Sequence, residues 1–480
     1  MQTSRRWRRA GIETWVALLC GCAVGPDFAR PEPPNPPGYT AEPTPEQLAP
    51  AAGQAEQRLE LGREISAQWY QAFGSAQLDD VLERALRDSP TLAAARATLA
   101  RAQETVTAAR GSLFPQIDAS ASVSRVGTPA VASGSKSGLT ATLYSVGGSV
   151  SYAVDVFGGI RRGVEQEEAL AEFQQYELAA AWLSLTGNTV TGAIVIGSLR
   201  AQIEANEEVA QDDRNNLELV QRKYTAGKAA RSDVLVAQTQ LASDLAQLPT
   251  LRQQLAVAED AVSVLAGQLP GQWSPPEFAL DGFQLPGELP LSLPSELARQ
   301  RPDILAAEAQ LHAASAAIGV ATAQLFPSLT LSADLTRDAV ISGGAGAAWA
   351  VAAQLAAPVF HGGTLRAERR AAIDAYEAAL ASYQETVLTG FEQVADTLRA
   401  LANDAELVGA QAQLLETARE SLALQRISYD AGKSDVLLLI AAERAYQQAR
   451  LDFARAQGQR LQDSTELFVA LGGGWWRANL

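Results

Sequence analysis

The chain has 480 residues, with 38 Lys and Arg against 54 Asp and Glu, and a formal charge of −16. An acidic surface repels phosphate backbones, which argues against nucleic acid as a partner. Two Cys and two His, the latter at 312 and 361, leave no disulfide framework, no Cys-ligated metal and no His cluster. No Gly-rich phosphate loop and no Gly-x-Ser-x-Gly is found, so no catalytic, cofactor or metal site is expected.

In chain order, Arg5, Arg6, Arg8 and Arg9 precede the short apolar run Trp15-Val16-Ala17-Leu18-Leu19. Residues 1–21 read as a bacterial secretory signal rather than as part of the fold. Leu19-Cys20-Gly21-Cys22 puts a small residue before Cys22 and a large one before Cys20. Cys22 is therefore the expected lipidation site, with plain cleavage as the alternative. Ala23 stands where an Asp would signal inner-membrane retention, so the outer membrane is expected. Residues 22–73, with nine Pro between 26 and 50, are expected to form an extended leash.

Residues 90–125 are echoed by 302–337 at an offset of 212, with 13 of 36 positions identical, including Leu113-Phe114-Pro115 and Leu325-Phe326-Pro327. The chain is a tandem duplication, read as a first repeat over 74–290, a second over 291–471 and a tail over 472–480. A repeated structural unit argues for architecture rather than for one catalytic pocket.

After each Leu-Phe-Pro the hydrophobic period changes to two. Ile117, Ala119, Ala121 and Val123 alternate with Asp118, Ser120 and Ser122; Leu329, Leu331 and Leu335 alternate with Thr330, Ser332, Asp334 and Thr336. Partner segments alternate likewise around Val146–Val154 and Trp349–Leu355. Strands are expected at about 115–126, 139–155, 327–337 and 347–357, the length of a tilted transmembrane strand. Four strands close no barrel, and open edges cannot face lipid, so several chains must pool their strands if these span a membrane. A soluble β-sandwich is the competing reading.

The rest reads as long helix. No proline interrupts Ile160–Tyr224 or Thr364–Tyr429, and about 65 residues span roughly 100 Å. Ile373, Tyr376, Leu380, Tyr383, Val387, Phe391, Val394, Leu398 and Leu401 form a coiled-coil seam with one stutter. Each rod ends in Tyr-x-Ala-Gly-Lys. Gly227 and Gly432 suit a left-handed helix end. Ser232 and Ser434 are read as caps of the next helices, with Asp233 and Asp435 at their positive ends.

Gly21-Cys22-Ala23-Val24-Gly25-Pro26-Asp27-Phe28 with Arg30-Pro31 resembles the mature start of lipidated outer-membrane efflux factors of the TolC family, in the OprM/NodT-like branch. Arg301-Pro302-Asp303, Leu325-Phe326-Pro327, Val359-Phe360 with Gly362-Gly363, and Leu471-Gly472-Gly473-Gly474-Trp475 are similar to motifs of the same family. The resemblance covers residues 19–476. It implies a mixed α/β membrane protein: a homotrimer whose chains give four strands each to one 12-stranded transmembrane β-barrel, continued by a long periplasmic α-helical barrel. It implies a lipidated N-terminus in the outer membrane, a periplasmic adaptor and an inner-membrane pump, usually of the proton-driven RND type. The function implied is a passive exit duct for efflux. An outer-membrane component of a type I-like system secreting a peptide or protein is the alternative. A coiled-coil lipoprotein without a pore is disfavoured by the alternating strands.

The resemblance also points to adaptor-contacting tips, here Tyr224, Gly227, Ser232, Asp233, Tyr429, Gly432 and Ser434. It points to a periplasmic gate at the second tip. Where many relatives carry an acidic residue nine positions after the tip glycine, this chain has Ala441, preceded by Leu437-Leu438-Leu439-Ile440. His361 likewise replaces a frequent Asp. The gate expected here is hydrophobic, formed by Leu437, Leu438 and Ile440, with Asp435 as an outer charged ring.

Overall fold

The computed structural model describes residues 23–34, 36–41, 47–49, 56–128, 139–340 and 344–478. Cys22, the expected lipidation site, and residues 129–138 lie outside the described residues. Two compact units are resolved, and each draws on both repeats: one holds residues 98–175 and 306–384 with the chain up to Pro31, the other 32–97, 176–305 and 385–480.

The first unit is built on one antiparallel sheet. Its strands are β2 (Gln116–Thr128), β3 (Leu139–Val154), β5 (Ser328–Val340) and β6 (Ala345–Ala356), in that spatial order. Helices α2 (Pro90–Gly111) and α6 (Pro302–Ala323) lead into β2 and β5. Each begins on a proline, whose fixed φ suits the first helical turn and whose missing N–H costs nothing there. Each ends in the tight turn of Leu-Phe-Pro, with Phe114 N–H donating to Gly111 O and Phe326 N–H to Ala323 O. Strand exit leads to α3 (Gly159–Thr225) and α7 (Thr364–Asp430). The Asp155 carboxylate caps α3 by accepting from the Ile160 and Arg161 amides at 3.0 and 2.9 Å.

The second unit packs the remaining helices around a large apolar core. Helix α1 (Ala76–Asp88) is capped by Ser75, whose hydroxyl accepts from Leu78 N–H, and it buries Leu78, Val81, Leu82 and Ala85. Short strands β1 (Arg58–Leu61) and β4 (Glu288–Leu291) pair in parallel. The leash expected to run to residue 73 thus ends earlier: β1 belongs to this small sheet, and Trp69, Tyr70 and Phe73 are buried in a helical turn. Trp69 stacks on Phe468 with ring centres 5.1 Å apart. Arg301 follows α5 (Pro294–Gln300) and explains the Arg-Pro-Asp motif. Its buried guanidinium donates to the Ala470 carbonyl at 2.7 Å and to Asp303 and Gln393, tying the chain end to the opening of the second repeat.

The duplication is visible residue for residue. α2 and α6 both have 22 residues and β2 and β5 both have 13, at the offset of 212 read from the sequence. Beyond the hairpins the offset is 205: α3 and α7 have 67 residues each, and α4 (Arg231–Leu265) and α8 (Val436–Ala470) have 35 each. The second strand hairpin is therefore shorter by seven residues. At 1.5 Å per residue the 67-residue helices are about 100 Å long. Helices α3 and α6 contain stretches apolar enough to cross a bilayer, yet 61% of each stretch is buried inside the protein. These stretches serve as core.

Candidate functional site: sheet face, leash foot and hairpin tips

The sheet register sorts the strands into two chemically distinct faces. Ile117, Val150, Ala333 and Val351 lie in one row across all four strands, and Ala119, Gly148, Leu335 and Trp349 in the next. The opposite face carries Asp118, Ser149 and Asp334 in one row and Ser122, Ser145 and Asp338 in another, with the Ser145 hydroxyl bonded to Asp338. Ile117, Val123, Val146, Leu331, Leu335, Trp349, Val351 and Leu355 are all exposed. A row of large apolar side chains with nothing over it is the surface of a sheet whose solvent is lipid. The strands run 12 to 16 residues, ample for a tilted span. Gly147 allows a close crossing, since a Cβ there would lie 2.7 Å from the Leu335 carbonyl oxygen.

The residues directly after Cys22 are fixed at the foot of this sheet. Val24 N–H donates to Phe157 O at 2.9 Å, and Ala23 sits so close over Gly158 that a Cβ would fall 2.6 Å from its Cα. The buried Arg162 guanidinium donates to Asp27 at 2.6 Å and to Glu165 at 2.7 Å. Phe28 stacks on His312 at 4.4 Å, and His312 is bonded to Glu165 at 3.1 Å. Arg30 pairs with Glu308 at 2.5 Å. Small residues at Gly25 and Gly319 let the leash pass: a Cβ on Gly25 would meet Gly319 Cα at 2.5 Å.

The two hairpin tips share one turn. Gly227 and Gly432 both take φ +71°. Each donates its N–H to the tyrosine three residues before, and Lys228 and Lys433 donate to the carbonyls of Lys223 and Ser428. This pattern closes a helix C-terminus on a left-handed residue, which a side chain would strain. Tyr224 is exposed, whereas Tyr429 is buried with the Lys223 ammonium 3.4 Å above its ring.

The caps differ from the sequence expectation. Both return helices start four residues after the glycine, at Arg231 and Val436. The shared Ser-Asp-Val-Leu therefore falls inside α4 but straddles the start of α8. Ala230 is the cap residue of α4, Ser232 is already helical, and the Asp233 carboxylate reaches back to accept from Ala230 N–H at 2.9 Å. In α8 the cap is Asp435, accepting from Leu437 N–H at 3.4 Å, while Ser434 lies outside the helix and donates to Gln425. Neither serine caps.

Among the expected gate residues, Leu437 and Leu438 are 51% and 55% exposed. Ile440 is not available to a gate. It is 7% exposed and packs with Leu439, Val220, Val234, Leu422 and Tyr429. The helical period decides this: four consecutive apolar residues cannot all face one way.

Above this apolar cluster the helices carry buried polar groups that sequence reasoning missed. The Asp213 carboxyl is pushed up to about 8, by burial and then by its hydrogen bond to Asp244, with the Glu443 and Asp212 charges adding. Asp404 is pushed up to about 7 by burial and its bond to Asp463. Burial also raises Glu443, against the opposing effects of Asn216 and Arg426. Asn216 donates to Glu443 at 2.5 Å, and Arg426 bridges Asp212 at 2.8 Å and Glu443 at 3.5 Å. These links join α3, α7 and α8. Acidic residues at core positions of the helical period are the signal that could have found them. Among the described residues, no group of three or more His, Cys, Asp or Glu side chains is arranged to hold a metal ion.

A lipid-facing sheet with free edges, joined in sequence to paired long helices, defines a membrane channel component built from strands and helical hairpins. The family described as outer membrane efflux protein matches residues 81–268 and again 293–473. The pyoverdine export outer membrane protein OpmQ of Pseudomonas aeruginosa is 33% identical over 422 residues, 85% of this chain and 87% of that protein. The probable efflux pump outer membrane protein TtgC of Pseudomonas putida is 30% identical over 472 residues, covering 96% and 94%. The solved outer-membrane channel OprN superposes with a TM-score of 0.85 at 28% identity, covering 95% of this chain and all of that one. The chain belongs to the outer membrane efflux protein family, a family of trimeric outer-membrane channels with a large periplasmic helical portion.

Proposed function

We propose that this chain is the outer-membrane exit duct of a tripartite efflux system. Three copies pool four strands each into one barrel, and the helical hairpins line the periplasmic passage to an adaptor and an inner-membrane transporter, of the RND type. The observation that carries this reading is the sheet: one apolar exposed face, one polar face, and two edge strands, β2 and β6, whose outward backbone groups need partners that lipid cannot supply. The duct performs no chemistry; its polar face conducts and its partners supply the driving force. A heat-modifiable trimer in the outer-membrane fraction, whose loss raises intracellular accumulation of an efflux dye, is the expected outcome. A soluble monomer overturns the reading.

Within this reading Cys22 carries the lipid. The contacts of Val24, Asp27, Phe28 and Arg30 hold the chain beside the foot of β3, where a sheet of this kind leaves the bilayer, which supports acylation one residue before Ala23. Labelled palmitate should enter the wild type and not Cys22→Ser; label retained in the variant contradicts the assignment. The tips around Gly227 and Gly432 contact the adaptor, with Tyr224, Ser232, Asp233 and Ser434 as their polar surface. Leu437 and Leu438 form the closed constriction, which excludes ions by dewetting. Asp435 fixes the start of α8 beneath them.

A further inference from the structure

Within one chain the two repeats meet along β3 and β5. That junction has a definite signature. Val154 pairs with Leu329 in the antiparallel ladder, and just beyond it Phe157 stacks on Phe326 with ring centres 4.7 Å apart and planes 22° apart. One ring leaves a strand and the other enters one. Phe326 belongs to Leu-Phe-Pro, whose copy at the offset of 212 is Leu113-Phe114-Pro115. Phe157 belongs to Val156-Phe157-Gly158-Gly159, whose copy is Val359-Phe360-His361-Gly362-Gly363 with one residue inserted.

The two copied rings lie at opposite edges of the sheet. Phe114 enters edge strand β2 and Phe360 leaves edge strand β6. Both are bare, Phe114 at 66% and Phe360 at 86% exposure, and neither has an aromatic neighbour among the described residues. Val359 beside Phe360 is bare as well. Each half-junction is present in a single chain, with its complement at the far side of the same sheet.

In the trimer proposed above, β6 of one protomer meets β2 of the next to close the barrel; we propose that this seam carries the same ring stack and register as the junction between repeats, with Phe360 stacked on Phe114 of the partner subunit. The occupant of both bare rings is a second copy of this chain. The argument is continuity, since the rings extend the two strand edges that a closed barrel must join. It rests on the trimeric reading above. The register follows from the same copy. Transferring the Val154–Leu329 pair sets Leu355 opposite Ala119 of the partner subunit and Val351 opposite Val123 of the partner subunit. Leu355, Ala353 and Val351 then meet Ala119, Ala121 and Val123 of the partner subunit on the apolar face, as a continuous lipid face demands, and Trp349 meets Arg125 of the partner subunit at the end of the seam. A slip by one residue would turn the partner's polar face to lipid, so only shifts by two compete.

The test uses the full chain in outer membranes with the photoreactive aromatic p-benzoylphenylalanine at Phe360. Irradiation is expected to give dimer and trimer bands that survive boiling, with the cross-link in the tryptic peptide spanning residues 111–125. The reverse placement at Phe114 should mark the peptide spanning 338–366, and it decides the matter if the first variant fails to assemble. A cross-link landing in any other peptide overturns the proposal. A heat-sensitive trimer that yields no cross-link from either position overturns the stack while leaving the trimer standing. Absence of a trimer in the unmodified chain overturns the reading beneath it. As a second readout, Phe114→Ala and Phe360→Ala should each lower the temperature at which the trimer dissociates, and the double variant should fall no further than the lower single, because both remove one contact. Additive losses contradict the shared contact.

Discussion

Hairpin α3–α4 and hairpin α7–α8 each run 67 residues out and 35 back, and both turn through a glycine at φ +71°. Their backbones are copies, yet the first turns of their return helices are not. At equal distances from the glycine, Ser232 and Asp233 in one stand where Leu437 and Leu438 stand in the other, and Ala230 stands where Asp435 stands. A duplicated backbone fixes the shape of both tips. Three residues of shift in the Ser-Asp-Val-Leu motif then give one tip a polar rim and the other an exposed apolar pair. That difference is why the proposed gate is placed on α7–α8, with α3–α4 as its polar counterpart.

If the shared turn matters, its glycines should be equally intolerant. Gly227→Val and Gly432→Val each force a β-branched residue into left-handed backbone, and each should abolish efflux while the heat-modifiable trimer persists. Accumulation of an efflux dye measures this; loss in only one variant would break the equivalence of the tips. The strands extend the comparison to the membrane. Val123→Arg and Leu335→Arg, equivalent at the offset of 212 and both on the apolar face, should cost alike, about 2–4 kcal/mol near mid-membrane in a barrel-folding titration. Arg at Ser332, on the polar face, should be tolerated. Equal tolerance at Leu335 and Ser332 would refute the assignment of faces.

The buried carboxyls separate the hairpins further. A carboxyl raised in the folded state binds its proton more tightly there than in the unfolded chain. Its contribution to stability is therefore full at low pH and is lost as pH rises from about 4 to the folded value. For Asp213 that window reaches about 8, and for Asp404 about 7. Thermal stability should fall as pH rises through these ranges, and Asp213→Asn should flatten the upper part. Scanning calorimetry across pH 5–9 is the check, and an unchanged slope in Asp213→Asn contradicts the burial argument. The smallest effect is at the caps. Asp435→Ala should cost about 1 kcal/mol through the lost Leu437 amide bond, and Ala230→Asp at the matching position should stabilise by a comparable amount.

Much of this was legible in the sequence because period and punctuation are local. Alternation of Ile117 to Val123 set the strand faces, proline-free runs set the helix lengths, and the two tip glycines marked the turns. What escaped depends on geometry that pattern alone leaves open. The motif Ser-Asp-Val-Leu looks identical at both tips, but the glycine sets where the helix starts, so its serines lost their capping role. Leu437–Ile440 reads as one apolar run, and only the packing of Ile440 against Val220 and Leu422 shows which half is left bare. Asp213 and Asp404 look like solvated helix charges until neighbouring helices cover them. The leash ends before Trp69 because aromatic residues after residue 60 outweigh the proline signal before it.

In the proposed duct, an apolar pair closes one hairpin and not its copy. Single-channel conductance in planar bilayers tests it most directly. Leu437→Ser with Leu438→Ser should raise resting conductance several-fold, while Ser232→Ala with Asp233→Ala at the matching positions should leave it unchanged. No rise in the first variant, together with opening by Asp435→Ala alone or by the change at Ser232 and Asp233, would contradict the account.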